Sequence, residues 1–156
     1  MKVAVIDYES GNLTSVCNAL EFIECEYTLT RDRKLLADAS HLILPGVGSY
    51  KGTMEALAKF DLVSLLADLV MDGGRYFVGI CVGMQILSVK GDELGETSGL
   101  GWIDGTTNSL DVNPVGLSLP HVCWNKISGN LHNSKLLSEV NESPVFYFVH
   151  SFSLRA

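Results

Sequence analysis

The sequence predicts an α/β fold, a three-layer, doubly wound and mainly parallel sheet with an antiparallel extension. Three observations predict it. Over the first half of the chain, short apolar runs alternate with stretches whose apolar positions recur at helical spacing, the pattern of βαβ units. The apolar runs lack in/out alternation, as expected of strands covered on both faces. Two of them end in glycine-bearing loops, Pro45-Gly46-Val47-Gly48 and Gly79-Ile80-Cys81-Val82-Gly83, where an open parallel sheet presents its ligands.

In chain order, Lys2 to Tyr8 reads as the first strand, apolar at Val3, Ala4, Val5 and Ile6. Glu9-Ser10-Gly11-Asn12 is a turn, with Asn12 as N-cap of a helix whose apolar positions are Leu13, Val16, Cys17, Leu20 and Ile23. Cys25 to Thr30 is the second strand, Lys34 to Ala39 a short helix and His41 to Leu44 the third strand. Gly52 to Lys59 and Leu62 to Met71 are helical, and Gly73-Gly74 leads into Tyr76 to Ile80, a fully buried strand. Met84 to Leu87 begin another helix. Between Gly91 and Gly105 the texture turns to glycine and polar residues, hence loop or short irregular strands. Antiparallel strands follow at Thr106 to Val112, Leu117 to Leu119 and Val122 to Ile127, then a helical turn at Ser134 to Leu137 and a last strand at Val145 to Val149. No repeat or linker interrupts residues 1–156, which therefore read as a single domain.

With 156 residues, 47% hydrophobic content and a mean hydropathy of +0.24, the chain can bury a sizeable core. A net charge of −7 argues against nucleic acid and anionic membrane as partners. The N-terminus meets Asp7 too early for a secretory signal, and no apolar run approaches spanning length. Cys17, Cys25, Cys81 and Cys123 are scattered without a C-x-x-C pair, which reads as reduced thiols in a cytoplasmic protein rather than a disulfide frame or zinc site.

Cys81 stands where a strand runs straight into a helix, with glycines two residues to either side. G-x-C-x-G in that setting is the cysteine version of the nucleophile elbow, a strained turn that lifts a reactive atom above the end of a sheet. Side chains at Gly79 or Gly83 would collide with neighbouring backbone. Exposed N–H groups at the start of the helix favour thiolate and can hold an oxyanion. The plainer alternative is a small buried hydrophobe, the usual fate of a free cysteine. Pro45 to Gly48 ends its strand on the same rim, so its N–H groups can approach a substrate or complete the oxyanion hole; the plainer alternative is a tight turn. No G-K-[ST] closes that loop and no G-x-G-x-x-G is present, which removes phosphate-loop and dinucleotide readings.

A thiolate nucleophile needs a base, usually histidine oriented by a third group. His41 opens a strand and reads as structural; His132 lies in a polar loop. His121 and His150 are the remaining candidates, neither with a carboxylate at useful spacing, and hydrogen-bonded packing is the plainer account of both.

Six segments then occur together and in order: Asp7-Tyr8-Glu9-Ser10-Gly11-Asn12, Leu44 to Gly48, Gly79 to Gln85, Gly99-Leu100-Gly101, Pro120 to Asn125 and Phe146 to Ser151. Together they resemble the class I (triad) glutamine amidotransferases over the whole chain. The elbow alone identifies only the superfamily. P-H-x-x-W-N and Y-F-V-H-S narrow the resemblance to the glutaminase subunits of imidazole glycerol phosphate synthases, from histidine biosynthesis. The resemblance implies that Cys81 attacks the side-chain amide of glutamine, releasing ammonia through a glutamyl thioester, with no cofactor and no metal. It places the oxyanion donors at Val82, Val47 and Gly48, and the substrate contacts at Gly46, Gly48, Gln85, Ser151 and Phe152. It implies a (β/α)8-barrel cyclase partner that receives the ammonia, met at Asn12, Trp124 and Tyr147.

The chain also departs from that family. Its base and orienting carboxylate form a His-x-Glu pair, and no His-x-Glu occurs in this sequence; His150 aligns with a different histidine. A domain short of its C-terminal part is therefore expected, with little or no glutaminase activity on its own. Glu9 and Ser10 stand in a turn that is usually glycine-rich, and Cys123 replaces the glycine usual before Trp-Asn. Two alternatives keep the fold: a subunit supplying ammonia for sugar amination in surface-polysaccharide synthesis, and a non-catalytic binding module. A thiol redox sensor is the weakest reading without a second cysteine nearby.

Overall fold

Val3–Ile6 forms β1, buried at all its positions because both faces of the sheet are covered here. The computed structural model describes residues 1–9, 12–112, 118–129, 134–137, 139–140 and 143–156. They fall into two compact units, Met1–Ser109 with Phe152–Ala156, and Leu110–Ser151.

In the first unit β1 pairs in parallel with β2 (Tyr27–Thr30) and β3 (His41–Leu44), and β3 pairs in parallel with β4 (Tyr76–Gly79), giving the order β2-β1-β3-β4. Side-chain alternation sends Val3, Val5 and Ile43 to one face, where Leu13, Val16 and Leu20 of helix α1 (Leu13–Phe22) cover them. Ala4, Ile6, Leu42 and Leu44 point to the other, under α2 (Arg33–Asp38), α3 (Tyr50–Lys59) and α4 (Leu62–Ala67). Three layers result, as predicted.

Helix ends follow local chemistry. The Asn12 side chain accepts from Ser15 N–H at 3.3 Å, Asp32 from Lys34 and Leu35 N–H at 2.9 and 3.1 Å, and Ser49 from Gly52 N–H at 3.1 Å. Each such cap stabilises its helix by about 1 kcal/mol. At the end of α1, Glu24 turns left-handed (φ 54°) and Cys25 N–H returns to the Leu20 carbonyl at 2.9 Å, so the second strand starts at Tyr27 rather than Cys25. The helix predicted over Leu62 to Met71 exists but widens after Ala67 into a π turn, Asp68–Asp72.

The fourth strand corrects an expectation. It is not buried on both faces. Phe77 packs into the core, edge-on to Trp102 at 5.0 Å, but Tyr76, Val78 and Ile80 are 65%, 37% and 39% exposed. β4 is the edge strand of this sheet, and α1 sits over β1 and β3, so that face of β4 has no cover among the described residues.

Beyond α5 (Val82–Gln85) a second sheet takes the order β10-β7-β5-β6, from β5 (Ser88–Gly91), β6 (Thr97–Ser98), β7 (Ile103–Ser109) and β10 (Phe152–Arg155). β7 and β10 are antiparallel, as are β5 and β6, but β5 and β7 run parallel, so the extension is mixed. The strand predicted over Thr106 to Val112 lies three residues earlier, and β10 had no counterpart in the sequence reading.

The second unit contains the antiparallel pair β8 (His121–Lys126) and β9 (Val145–His150). Of the strand expected at Leu117 to Leu119, Leu117 lies outside the described residues and Ser118 and Leu119 are not extended into a sheet. Lys135 to Leu137 form a turn; His132, Ser10 and Gly11 lie outside the described residues. No helix among the described residues is long and apolar enough to cross a membrane.

Candidate active site

Cys81 follows β4 directly and precedes the single turn of α5. Its backbone lies at φ 54°, ψ −116°, a conformation that costs a non-glycine residue of order 1–3 kcal/mol, and its side chain is exposed. The reading of Cys81 as a buried hydrophobe is thereby excluded. The turn closes through Gly83 N–H to Ile80 O at 3.0 Å, with Met84 and Gln85 N–H both on the Cys81 carbonyl at 2.9 and 3.1 Å. A Cβ on Gly79 would run into the carbonyl of Gly83, and one on Gly83 would run into the carbonyl of Leu44 at the end of β3, so the elbow is hemmed in by backbone at both glycines. Only four residues long, α5 offers N–H groups rather than a sizeable dipole.

The Pro45–Gly48 loop meets this elbow. A Cβ on Gly46 would overlap the Val82 side chain and stand 2.8 Å from Gly83 N, so the loop's first half is pressed against the first turn of α5. Pro45 and Gly46 are buried, whereas Val47 and Gly48 are exposed and Gly48 takes φ +111°. The loop therefore has a fixed base and an open tip. Its base is held by Tyr8, whose hydroxyl donates to the Pro45 carbonyl at 2.7 Å.

Gln85 is buried in the same turn, with its Nε2 donating to the Phe152 carbonyl at 2.9 Å, so two residues expected around one substrate are neighbours. Below it lies a polar network absent from the sequence reading. Ser88 and Thr107 hydroxyls both donate to the Gln85 carbonyl, at 2.8 and 3.0 Å, and the Tyr50 hydroxyl lies 3.0 Å from Ser88 Oγ. Burial holds the Tyr50 phenol above its ordinary pKa. Glu93, also unforeseen, accepts from Tyr50 N–H at 2.7 Å at the start of α3, directly after the loop.

His41 begins β3, at the end of the sheet opposite Cys81, stacked on Tyr76 at 4.8 Å and bonded through Nδ1 to Ser40 Oγ. His121, His150, Trp124, Tyr147 and Ser151 belong to the second unit. There Trp124 and Tyr147 are cross-strand partners with rings 5.4 Å apart, 70% and 54% exposed, so core packing does not account for Trp124. Ser151 accepts from Leu110 N–H at 2.8 Å through its carbonyl. Asn12 is spent on its cap, with its side chain otherwise exposed. Among the described residues no group of histidine, cysteine and carboxylate side chains is arranged to hold a metal ion.

No protein-family model matches the chain. A crystal structure of a glutamine amidotransferase superposes with a TM-score of 0.75 at 18% identity, over 99% of this chain and 74% of that one, which establishes the fold. Three similar sequences carry the name imidazole glycerol phosphate synthase subunit HisH. That of Rhodospirillum rubrum is 38% identical over 162 residues, covering 99% of this chain and 76% of its own length. That of Zymomonas mobilis is 40% identical over 155 residues, with 97% and 71% covered, and that of Leptospira interrogans 34% identical over 152 residues, with 96% and 74% covered. With this identity over nearly its full length, and with a cysteine elbow set against a proline–glycine loop, the chain belongs to the HisH family, the glutamine amidotransferase subunits of imidazole glycerol phosphate synthase.

Proposed function

We propose that Cys81 opens the side-chain amide of glutamine and that the ammonia set free serves the formation of imidazole glycerol phosphate and AICAR in histidine biosynthesis. The single observation that carries the chemistry is the strained, exposed Cys81 between two glycines that tolerate no side chain. Sulfur attacks the amide carbon, the carbonyl oxygen becomes an oxyanion, and ammonia leaves the tetrahedral intermediate as a thioester forms. Water then cleaves the thioester to glutamate. Val82 N–H opens α5 and so has no helical partner; it supplies one oxyanion donor. Val47 and Gly48, at the open tip of the neighbouring loop, supply the second after a rearrangement of that tip. Gly46, Gly48, Gln85, Ser151 and Phe152 surround the substrate. Residues 1–156 act as one amidotransferase domain, without cofactor, in the cytoplasm.

The receiving subunit is a (β/α)8-barrel cyclase, and Asn12, Trp124 and Tyr147 contact it. An exposed tryptophan backed by a tyrosine suits an interface anchor. Supply of ammonia for sugar amination is not favoured, because the relatives are named for imidazole glycerol phosphate synthase.

The sequence holds no His-x-Glu pair, and His41 lies at the wrong end of its sheet. The 156-residue polypeptide is accordingly expected to label at Cys81 but to turn over little. The test is a glutamine-analogue diazo-ketone followed by peptide mass mapping, beside glutamate release with the barrel subunit present. Selective modification of Cys81 supports the reading; labelling no faster than that of Cys25 refutes it in favour of a non-catalytic module.

A further inference from the structure

The register of β8 and β9 sets His121 opposite His150, Cys123 opposite Phe148 and Trp124 opposite Tyr147. Because side chains alternate, Val122, Trp124, Tyr147 and Val149 share one face of this pair, and His121, Cys123, Phe148 and His150 share the other. On that second face three reactive groups form a chain. Cys123 Sγ lies 3.1 Å from His121 Nε2, and His121 Nδ1 lies 3.1 Å from His150 Nε2. The His121 ring is held in plane by stacking on Phe148, centroids 5.4 Å apart.

A neutral imidazole has one N–H and one bare nitrogen. With Nδ1–H donating to His150, His121 Nε2 is bare and accepts the Cys123 S–H. This is the arrangement of nucleophile, base and orienting group that activates a thiol, with His150 as the orienting group. Cys25 provides an internal contrast. It is also half-buried, but among the described residues its sulfur has only the Glu26 carbonyl, at 3.7 Å.

We propose that Cys123 is a thiol-modification site whose substrates are small disulfides, glutathione disulfide being the probe of that class. Sγ attacks one sulfur of the disulfide, and the new S–S bond forms as the old one breaks. The thiol proton passes to His121 Nε2 and from there to the departing thiolate, which leaves as a free thiol. Cys123 is oxidised to a mixed disulfide and the reagent is reduced, with no other reactant. His121 touches the reacting sulfur; His150 is a positioning residue.

The test uses the full 156-residue chain carrying Cys81→Ser, so that the exposed thiol of the elbow is silent. It is incubated with glutathione disulfide near neutral pH, and thiolation is timed at each cysteine by peptide mass mapping. Cys123 is expected to react about tenfold faster than Cys25, less than a positioned base can give, because an ordinary thiol is already partly ionised there. His121→Phe keeps the ring stack and should bring Cys123 down to the rate of Cys25. His150→Gln can still accept from Nδ1–H and should retain most of the advantage, whereas His150→Leu should lose it. Equal rates at Cys123 and Cys25, or an unaltered rate in His121→Phe, overturn the proposal. Should His121→Phe fail to fold, equal rates in the two His150 variants overturn it instead.

Discussion

Tyr8 donates its hydroxyl to the Pro45 carbonyl at 2.7 Å, with the tyrosine ring fully buried. This bond ties the end of β1 to the loop after β3. Proline has no N–H of its own, so its carbonyl is the only polar backbone group that can anchor the loop base at that residue. Tyr8→Phe leaves that carbonyl unpaired in a buried site and should cost about 1–3 kcal/mol. Urea denaturation would register a lower midpoint with an unchanged slope. Because the anchored loop adjoins Cys81, labelling by a glutamine analogue should slow as well; an unaltered rate would mean that the loop tip is set independently of its base.

Gly79 is the second position where one atom decides the outcome. A Cβ there meets the Gly83 carbonyl oxygen and carbon and stands 2.6 Å from Met84 N, all of them backbone with no rotamer to give way. Gly79→Ala should cost about 2–3 kcal/mol, the upper range for overpacking, and displace the elbow. Cys81→Ser, by contrast, replaces an exposed atom and should change the stability by no more than about 0.5 kcal/mol. Comparing the two melting curves separates the frame of the site from its reactive atom.

The parts that could be read from the sequence are those where neighbouring residues decide the local geometry. His41–Leu44 matched its predicted limits, Asn12 capped α1, and G-x-C-x-G gave a strained cysteine, since caps, short apolar strands and glycine turns depend on a few adjacent residues. What was illegible depends on distant partners. Tyr76 to Ile80 had the composition of a buried strand, but burial is set by whether a helix happens to cross it. β10 is polar enough to pass for a tail until β7 supplies its hydrogen bonds. The hydroxyls of Ser88 and Thr107 gave no signal because their shared acceptor, the Gln85 carbonyl, belongs to another element.

That hydroxyl network makes a quantitative prediction. Ser88 Oγ is fully buried, lies within hydrogen-bonding distance of Tyr50 Oη and Thr107 Oγ1, and reaches the Gln85 carbonyl. Ser88→Ala should cost about 1–3 kcal/mol, since it strips partners from buried groups. Tyr50→Phe alone should cost less, and the double variant should fall short of the sum by at least about 0.5 kcal/mol, as expected of residues in one network. Full additivity in a double-mutant cycle would show that the hydroxyls act separately.

The pair formed by Glu9 with Lys59 and Arg31 predicts a pH dependence. Hydrogen bonds from Lys59 Nζ at 2.9 Å and then Arg31 Nη1 at 2.8 Å hold the Glu9 carboxyl below its ordinary value of 4.5. A carboxylate whose folded value is depressed adds stability above its unfolded value, and that contribution disappears as pH falls through the lower folded one. Both cations also lie over the Phe60 ring, at 4.3 and 4.7 Å, which keeps them beside Glu9. All three groups are solvent-accessible, so salt should weaken the effect. Glu9→Gln is therefore expected to lower the thermal midpoint slightly at pH 7 in dilute buffer. The gap between the two proteins should close in about 1 M salt, where the screening length falls to about 3 Å. It should also close as the buffer is taken below the depressed folded value, where the natural residue is itself neutral. A gap that persisted in acid would assign the contribution to hydrogen-bond geometry instead of charge.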